Sequence, residues 1–258
     1  MRVPRKPTIS PSKMTTYLAC PTKYMWTYID SRGKWYLRSK SYYSFGTSLH
    51  SVLQRFHDSG DKGVTTTAEA VAALEESWVQ AGYESQEQMM QALGEGKEIV
   101  EKYVEESLAA PVTAKTLFVE KMFRRDLGSF VLIGRVDRID EREGGDIDIV
   151  DYKSGRSGVN EDDLRNDLAM SAYQLILQEH FPGRKIWATI IALRADSRAS
   201  VSFSTEELEQ FKQDMMALAI EILDRDWENH VPVAKSLCSK CDFLPLCNKH
   251  PEFHLDSE

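Results

Sequence analysis

Apolar residues recur at helical spacing through most of the first 110 residues. In the stretch "SFGTSLHSVLQRFHD", Phe45, Leu49, Val52, Leu53 and Phe56 fall on one face of a helix. The same period predicts helices over residues 13–20, 66–83 and 85–110. Ser10 or Ser12 can cap the first helix, Pro21 interrupts it, and Pro111 stops the last.

The pattern then changes to alternation with β-branched residues, which predicts three consecutive strands in "KTLFVEKMFRRD", "SFVLIGRVDRID" and "DIDIVDYK". A helix over 160–181, a buried strand over 185–193, a short strand over 199–204 and a long amphipathic helix over 205–226 follow. This order predicts an α/β core behind a helical N-terminal portion. We expect one domain over residues 1–258, with a helical portion at 1–112, an α/β core at 113–230 and a cysteine-rich segment at 231–258.

Two charged residues interrupt the apolar side of the third strand, which we expect to be half-buried. Side chains alternate along a strand, so Asp151 and Lys153 point the same way as Ile149. If Glu141 pairs with Ile147 across the "EREGG" turn, Asp137 of the preceding strand lies directly opposite Asp151. Two carboxylates at that separation can share one divalent cation.

A cation would explain why charges stand among apolar residues, because it favours the ionised form of both acids. Lys153 could then orient or deprotonate an attacking water, or stabilise charge that develops on a phosphate. The alternative is a hairpin that faces solvent and whose charges are merely hydrated.

"GRVD" followed by "DYK" on the next strand resembles the PD-(D/E)XK nuclease superfamily. The surrounding segments resemble its RecB-like branch: "FGTSLH" matches a Gly-x-x-x-His helix, "FVE" an acidic strand, and Tyr173 a helical tyrosine. The resemblance implies a restriction-endonuclease-like core, in which helices flank a central mixed sheet.

The resemblance also implies roles for the matching residues. His50, Asp137, Asp151 and the Tyr152 carbonyl would bind Mg²⁺ or Mn²⁺, and Lys153 would be catalytic. Glu120 would support the site or bind metal, and Tyr173 would belong to it. Taken alone, without the other motif residues, His50 would be interpreted as a structural histidine and Tyr173 as a core residue. One departure is Ala169, where RecB-like members commonly have a glutamine; here Gln174 follows Tyr173 instead, which puts a DNA-positioning contact in doubt.

Four cysteines form the second candidate centre: Cys20 stands alone, and "CSKCDFLPLC" supplies Cys238, Cys241 and Cys247. In a chain expected to be cytoplasmic, this pattern indicates a metal centre more than disulfides. The spacing resembles the iron–sulfur nucleases of the AddB and CRISPR-associated type, including "YLACPTKY" around the first cysteine, and implies a structural [4Fe-4S] cluster. Zinc in the same thiolates and unligated buried cysteines are the alternatives.

Charge is distributed unevenly along the chain. The net charge is -8, but residues 1–44 carry nine cations against Asp30 alone, a local +8 that leaves -16 for the remainder. Seven aromatic residues interleave with these cations: Tyr24, Trp26, Tyr28, Trp35, Tyr36, Tyr42 and Tyr43. This composition suits a surface that stacks bases and contacts phosphates, although a solvated N-terminus or ordinary core packing would explain it too. No apolar run predicts a membrane span or a secretory signal.

Together these features predict a metal-dependent phosphodiester hydrolase. By resemblance it is an exonuclease acting on single-stranded or free DNA ends, with possible protein partners in a DNA-processing complex. Rival roles are a nuclease of CRISPR adaptation, recombination or a phage system, a non-catalytic DNA-binding scaffold of the same fold, and an iron–sulfur redox protein. The intact Asp137, Asp151 and Lys153 argue against the scaffold.

Overall fold

The structure is a computed structural model that describes residues 6–58, 63–110 and 113–255. Arg2 and Arg5 of the basic segment, and Pro111 as a predicted helix stop, lie outside these ranges. No helix within them is long and apolar enough to cross a membrane. The described residues form two compact units: one from residues 6–38, 126–132 and 209–255, the other from residues 39–58, 63–110, 113–125 and 133–208.

Helices and strands follow the predicted order. The helices are α1 (Pro11–Ala19), α2 (Pro21–Tyr24), α3 (Ser41–His57), α4 (Thr67–Ser77), α5 (Gln86–Ala109), α6 (Glu161–Arg165), α7 (Leu168–His180), α8 (Thr205–Asp224) and α9 (Leu244–Cys247). The strands are β1 (Thr8–Ile9), β2 (Ala114–Asp126), β3 (Val131–Arg142), β4 (Ile147–Lys153), β5 (Ile186–Ala192) and β6 (Ser197–Val201). Short π-helical and 3₁₀ turns occupy Met25–Ile29, Ser31–Trp35 and Ser236–Lys240.

A mixed sheet with helices around it confirms the predicted fold class. In the second unit, β3 pairs with β2 and β4, β4 runs parallel to β5, and β6 is antiparallel to β5. The helices α6 and α7 make the crossover that a parallel pair requires. In the first unit, β1 pairs in parallel with the start of β3, Thr8 opposite Val131; the sequence pattern did not predict this strand.

The predicted register of the β3–β4 hairpin is confirmed, since Glu141 pairs with Ile147 and Ile139 with Ile149. The ladder ends at Arg138 opposite Val150, one step before Asp137 and Asp151. The strand was wrongly expected to be half-buried: every residue of β4 except Lys153 is buried. A parallel neighbour and helices on the sheet enclose such a strand on both sides.

One long predicted helix, over residues 160–181, is in fact two. Asn160 caps α6 through a capping box. The chain leaves the helical path before α7, and Asp167 caps α7 by accepting hydrogen bonds from the main-chain N–H groups of Ala169 (2.8 Å) and Met170 (3.0 Å). Hydrophobic periodicity alone does not reveal this break, because the apolar residues before and after the Asp167 cap both follow helical spacing.

The helices α3, α4 and α5 share an apolar core that contains Leu49, Val52, Leu74 and Val104. From α3, Leu53 continues onto the sheet and packs against Val150 and Tyr152 of β4. The N-terminal helices of the second unit are therefore fixed to the strand that carries the candidate site.

A buried polar cluster also packs against β4 at Tyr152. The Arg138 Nη1 atom donates to the hydroxyl oxygens of Tyr152 (2.6 Å) and Tyr103 (2.9 Å) and also to Nε2 of His57. Burial, assisted by the positive charge of Arg138, lowers the pKa of His57 to about 3. His57 is therefore neutral in the folded protein at neutral pH.

We predict that acid destabilises the protein through His57. In the unfolded chain this histidine takes up a proton below about pH 6.5, whereas the folded protein takes it up only near pH 3, so stability falls as the pH drops between these values. At pH 4.5 the loss attributable to His57 is about 3 kcal/mol. Urea unfolding at pH 7 and pH 4.5 measures it. His57→Gln should lose less stability between the two pH values than wild type, whereas the exposed His180→Gln should behave like wild type; equal losses in all three proteins would contradict the prediction.

Candidate metal centre and active site

Three potential metal ligands meet in the second unit. The side chains of His50 on α3, Glu120 on β2 and Asp137 on β3 place one ligand atom each within 4.8 Å of the others. The His50 Nδ1 atom lies 3.5 Å from Asp137 Oδ2 and 3.8 Å from Glu120 Oε1. One imidazole nitrogen and two carboxylates are a donor set that suits a divalent cation such as Mg²⁺ or Mn²⁺.

Main-chain atoms of Tyr152 complete this corner of the site. The His50 Nε2 atom lies 3.0 Å from the carbonyl oxygen of Tyr152, and the N–H of Tyr152 donates to Asp137 Oδ2 at 2.9 Å. The carbonyl that the sequence resemblance assigned to the metal therefore lies next to His50 and Asp137. The buried Tyr152 side chain, bonded to Arg138, anchors this stretch of backbone.

Asp151 and Lys153 form an ion pair beside the triad. Their Oδ2 and Nζ atoms are 2.7 Å apart. Burial, opposed by Lys153 and assisted by repulsion from Asp137 and Asp167, raises the pKa of Asp151 to about 6. Asp151 is thus adjacent to the triad but outside the group of atoms within 4.8 Å, whereas Glu120 is inside it.

Electrostatic compensation is visible at both cations of the site. Burial alone would lower the pKa of His50, but Asp137 and Glu120 outweigh burial and raise it to about 10. Burial likewise opposes the charge of Lys153, and the pKa of Lys153 is nevertheless raised by Asp151. The site therefore has a negative potential that favours any cation placed in it.

Glu120 adopts an unusual backbone conformation, with φ 48° in the middle of β2. Residues other than glycine rarely enter this left-handed region, and the strain typically costs about 1–3 kcal/mol. Its carboxylate reaches both His50 and Arg135, whose Nε lies 2.6 Å from Glu120 Oε2. Strain at a residue that points a carboxylate at a candidate metal centre is typical of a functional site.

Glycines allow two close approaches that the motifs require. A Cβ on Gly46, four residues before His50, would lie 2.9 Å from Ser154 Oγ, just after β4. A Cβ on Gly134 would lie 2.6 Å from Cε1 of Tyr173. The glycines of "FGTSLH" and "GRVD" therefore let α3 approach the end of β4 and let α7 lay Tyr173 against β3.

Tyr173 lies close enough to the acidic residues to be affected by their charges. Burial raises its pKa above the ordinary value, and the charges of Asp151, Asp137, Asp167 and Glu120 raise it further. Gln174, the neighbouring residue, takes no part in the site: its amide is buried between Val201 O (3.5 Å) and Phe203 N (3.3 Å). Gln174 therefore does not take the place of the glutamine that RecB-like members commonly have at the position of Ala169.

Sequence reasoning missed Asp167 and Arg135. Asp167 Oδ2 lies 3.9 Å from Lys153 Nζ while Oδ1 caps α7. An aspartate before an apolar helical segment was a usable signal for a cap, but not for a carboxylate at the site. Arg135 stands inside "GRVD", yet its contact with Glu120 depends on the backbone turn at Glu120, which the pattern does not show.

The four cysteines gather in the first unit. Cys20, Cys238 and Cys247 are buried and Cys241 is half-buried. Burial raises the pKa of Cys247 to about 11, and the charges of the other three cysteines contribute, so all four sulfurs share one neighbourhood. Main-chain N–H groups of Lys23 and Lys235 donate to the sulfurs of Cys20 (3.4 Å) and Cys238 (3.3 Å).

Comparison with known proteins decides the family. The family model of the PD-(D/E)XK nuclease superfamily matches residues 8–248, nearly the whole chain. The chain belongs to the PD-(D/E)XK nuclease superfamily. Members of this superfamily generally use divalent metals, and the His50, Glu120 and Asp137 cluster is a possible site for one. A search of curated proteins found no significant match.

Two solved structures resemble this nuclease weakly. One is described as SSO0001, with 14% identity over 96% of this chain and 89% of its own, at a TM-score of 0.36. The other, from Eubacterium rectale, is described as a "putative exonuclease", with 12% identity over 86% of this chain and 95% of its own, at a TM-score of 0.38. Both scores lie below 0.5, a level at which the likeness supports no inference.

We predict that Gly134→Ala is destabilising because the added methyl group collides with the Tyr173 ring. Overpacking of this kind costs about 1–3 kcal/mol, measured as the free energy of unfolding in urea. Gly94→Ala is the matched control, since Gly94 is an exposed helical glycine with nothing within 4 Å of the added Cβ, and it should be neutral or stabilising.

A double-mutant cycle identifies the cause. In a Tyr173→Ala background the cost of Gly134→Ala should largely disappear, because the colliding ring is gone. A cost that stays the same in both backgrounds would show that Gly134 is required for another reason.

Proposed function

We propose that this nuclease is a metal-dependent DNA exonuclease that hydrolyses phosphodiesters at single-stranded ends, and that it belongs to the RecB-like branch with a four-cysteine cluster. The observation that carries the activity is the convergence of His50, Glu120 and Asp137 next to the Asp151–Lys153 pair. The family match supports a nuclease, while the exonuclease type and the single-strand preference are parts of the proposal.

The chain's own residues divide the work. His50, Glu120, Asp137 and the Tyr152 carbonyl would hold the divalent ion, with Asp151 adjoining them. When bound, the ion supplies positive charge to the phosphodiester and makes a water at the site more acidic.

Lys153 carries a positive charge between two carboxylates, Asp151 at 2.7 Å and Asp167 at 3.9 Å. This placement favours an electrostatic role, in which the ammonium donates hydrogen bonds to a phosphate oxygen as charge develops there. A role as the base that deprotonates water is less compatible with two neighbouring carboxylates, since both hold the proton on the amine.

The proposed DNA path uses the aromatic residues that remain at the surface. Of the N-terminal set, Tyr24 and Trp26 are buried, which makes them core residues, whereas Trp35 is 79% exposed and Tyr43 is 65% exposed. Lys34 lies over the Trp35 ring at 5.0 Å. An exposed indole beside a cation can stack a base and attract its phosphate.

A [4Fe-4S] cluster, rather than zinc, is the group proposed for the four cysteines. A tetrahedral zinc ion with Zn–S bonds of about 2.3 Å holds its four sulfurs about 3.8 Å apart. Within the described residues, no three cysteine sulfurs all lie within 4.8 Å of one another, as the ligand atoms of His50, Glu120 and Asp137 do. More widely spaced thiolates suit a polynuclear cluster, and ligation would tie Cys20 to the C-terminal trio across more than 200 residues.

We predict that Asp151→Asn abolishes cleavage. End-labelled single-stranded DNA, duplex DNA and circular single-stranded DNA are incubated with Mg²⁺, Mn²⁺ or EDTA, and products are resolved on a sequencing gel. Wild type should shorten the linear single strand from an end, spare the circle and require a divalent ion. Asp151→Asn should be slower by about 100-fold or more, because it removes negative charge at the metal centre.

The control for this experiment is Asp146→Asn. Asp146 belongs to the same hairpin, but its carboxylate accepts a hydrogen bond from the Trp187 indole N–H instead of facing the site. Its rate should equal that of wild type. Cleavage by Asp151→Asn at the wild-type rate would contradict the active-site assignment. Cleavage of the circle by wild type would show that the protein is an endonuclease, since a circle has no ends.

We predict that protein purified without oxygen is brown and contains iron and acid-labile sulfide. Cys20→Ala should lose most of the iron and become less stable, because the free energy of ligation is part of the free energy of folding. Metal analysis and urea unfolding measure both effects. Asp151→Asn is the control, since it should keep the full iron content; stoichiometric zinc without iron in wild type would contradict the cluster.

A further inference from the structure

Arg135 is an exposed cation at the edge of an acidic site. Its side chain is 61% exposed, although Glu120, which its Nε contacts at 2.6 Å, is only 13% exposed. The contact uses Nε, so the terminal amino groups of the guanidinium can serve a second acceptor. A guanidinium is a planar fork of donors that matches the oxygens of a phosphate in a bidentate way.

The charge balance of the site calls for such a cation. Four carboxylates lie around the proposed reaction centre, those of Glu120, Asp137, Asp151 and Asp167. An anionic DNA strand approaching them is repelled wherever no positive charge intervenes. Lys153, held between Asp151 and Asp167, supplies one such charge, and Arg135, which extends from Glu120 toward solvent, can supply a second.

Building on the proposed nuclease function, we propose that Arg135 is a phosphate-binding residue of the active site, which takes the anionic oxygens of one phosphodiester of the substrate strand. Glu120 holds the guanidinium through Nε and so fixes the fork beside the metal centre. Because Arg135 would grip a phosphate before and during the reaction alike, its loss should weaken substrate binding more than turnover.

The competing explanation is that Arg135 only neutralises Glu120 and keeps its carboxylate in place. The two explanations differ in what the substitution changes. Loss of a phosphate contact lowers DNA affinity and its salt dependence even without divalent metal, whereas loss of a partner for Glu120 changes the metal requirement.

The test uses the full-length protein and a fluorescein-labelled single-stranded oligothymidylate. Fluorescence anisotropy in EDTA gives the affinity over a range of KCl concentrations, and Mn²⁺-dependent cleavage gives KM and kcat. Arg135→Ala should weaken binding roughly tenfold, as expected for a charged hydrogen bond. It should reduce the slope of log affinity against log salt by about 0.7, the value for one phosphate contact on a single strand.

Arg198→Ala is the matched control, because Arg198 is 58% exposed and also lies near an acid, Asp148 at 3.9 Å. Arg198 belongs to β6, and among the described residues no ion pair or hydrogen bond joins its side chain to Glu120, Asp137, Asp151 or Lys153. It should keep the affinity and the slope of wild type. Arg135→Lys should restore the salt slope but not the full affinity, since it keeps the charge without the fork. Arg135→Gln removes the charge but keeps a long polar side chain, and it takes the place of Arg135→Ala if the alanine variant is unstable.

Arg135 variants with the affinity and slope of Arg198→Ala, but with a higher Mn²⁺ requirement, would overturn the proposal and leave Arg135 as a partner of Glu120 alone. That result requires wild type to bind and cut DNA. A wild-type protein that neither binds nor cuts the oligonucleotide would instead overturn the proposed function, and the Arg135 proposal with it.

Discussion

Mutual repulsion among carboxylates is the constraint on which the second unit depends. Glu120, Asp137, Asp151 and Asp167 converge at the end of β4, and burial strengthens their repulsion because less water screens it. The protein compensates with His50, whose pKa is raised to about 10, and with Lys153, whose pKa is also raised despite burial. The repulsion among the carboxylates lowers the stability of the folded protein. The same negative potential raises the affinity of the cluster for a cation.

Holding these charges in place requires a rigid frame, and the frame is built from close packing on every side of β4. Gly134 brings Tyr173 against β3, and Gly46 lets α3 deliver His50. From the buried polar cluster, Arg138 anchors the Tyr152 side chain, while the main chain of the same residue contacts His50 and Asp137. Tyr152 therefore couples the core to the site through its own backbone.

The sequence predicted the hairpin register and the order of strands because both follow from alternation and turn composition, which are local. It also placed His50, Asp137 and Glu120 in one site, but only through family resemblance, since they lie on three elements far apart in the chain. What it could not supply depends on backbone detail. The φ of 48° at Glu120 turns its carboxylate toward Arg135, and the break before Asp167 brings a helix cap to Lys153. Burial of β4 on both sides was missed because alternation with charges resembles a surface strand, whereas here Asp148 and Asp151 are buried and only Lys153 is half-buried.

The two candidate centres differ in ligand chemistry, and this difference would favour a different kind of metal at each. Carboxylates and a carbonyl around His50 favour hard divalent ions, while four thiolates favour iron–sulfur chemistry or zinc and bind Mg²⁺ poorly. Each centre also lies within its own compact unit, and each is assembled from segments distant in sequence. Loss of either ligand set should then affect its own unit first. At the carboxylates the fold can persist without a cation because His50 and Lys153 already supply positive charge. At the cysteines, burial raises the pKa of Cys241 and of Cys247, which favours the neutral thiol over the thiolate that a metal would require.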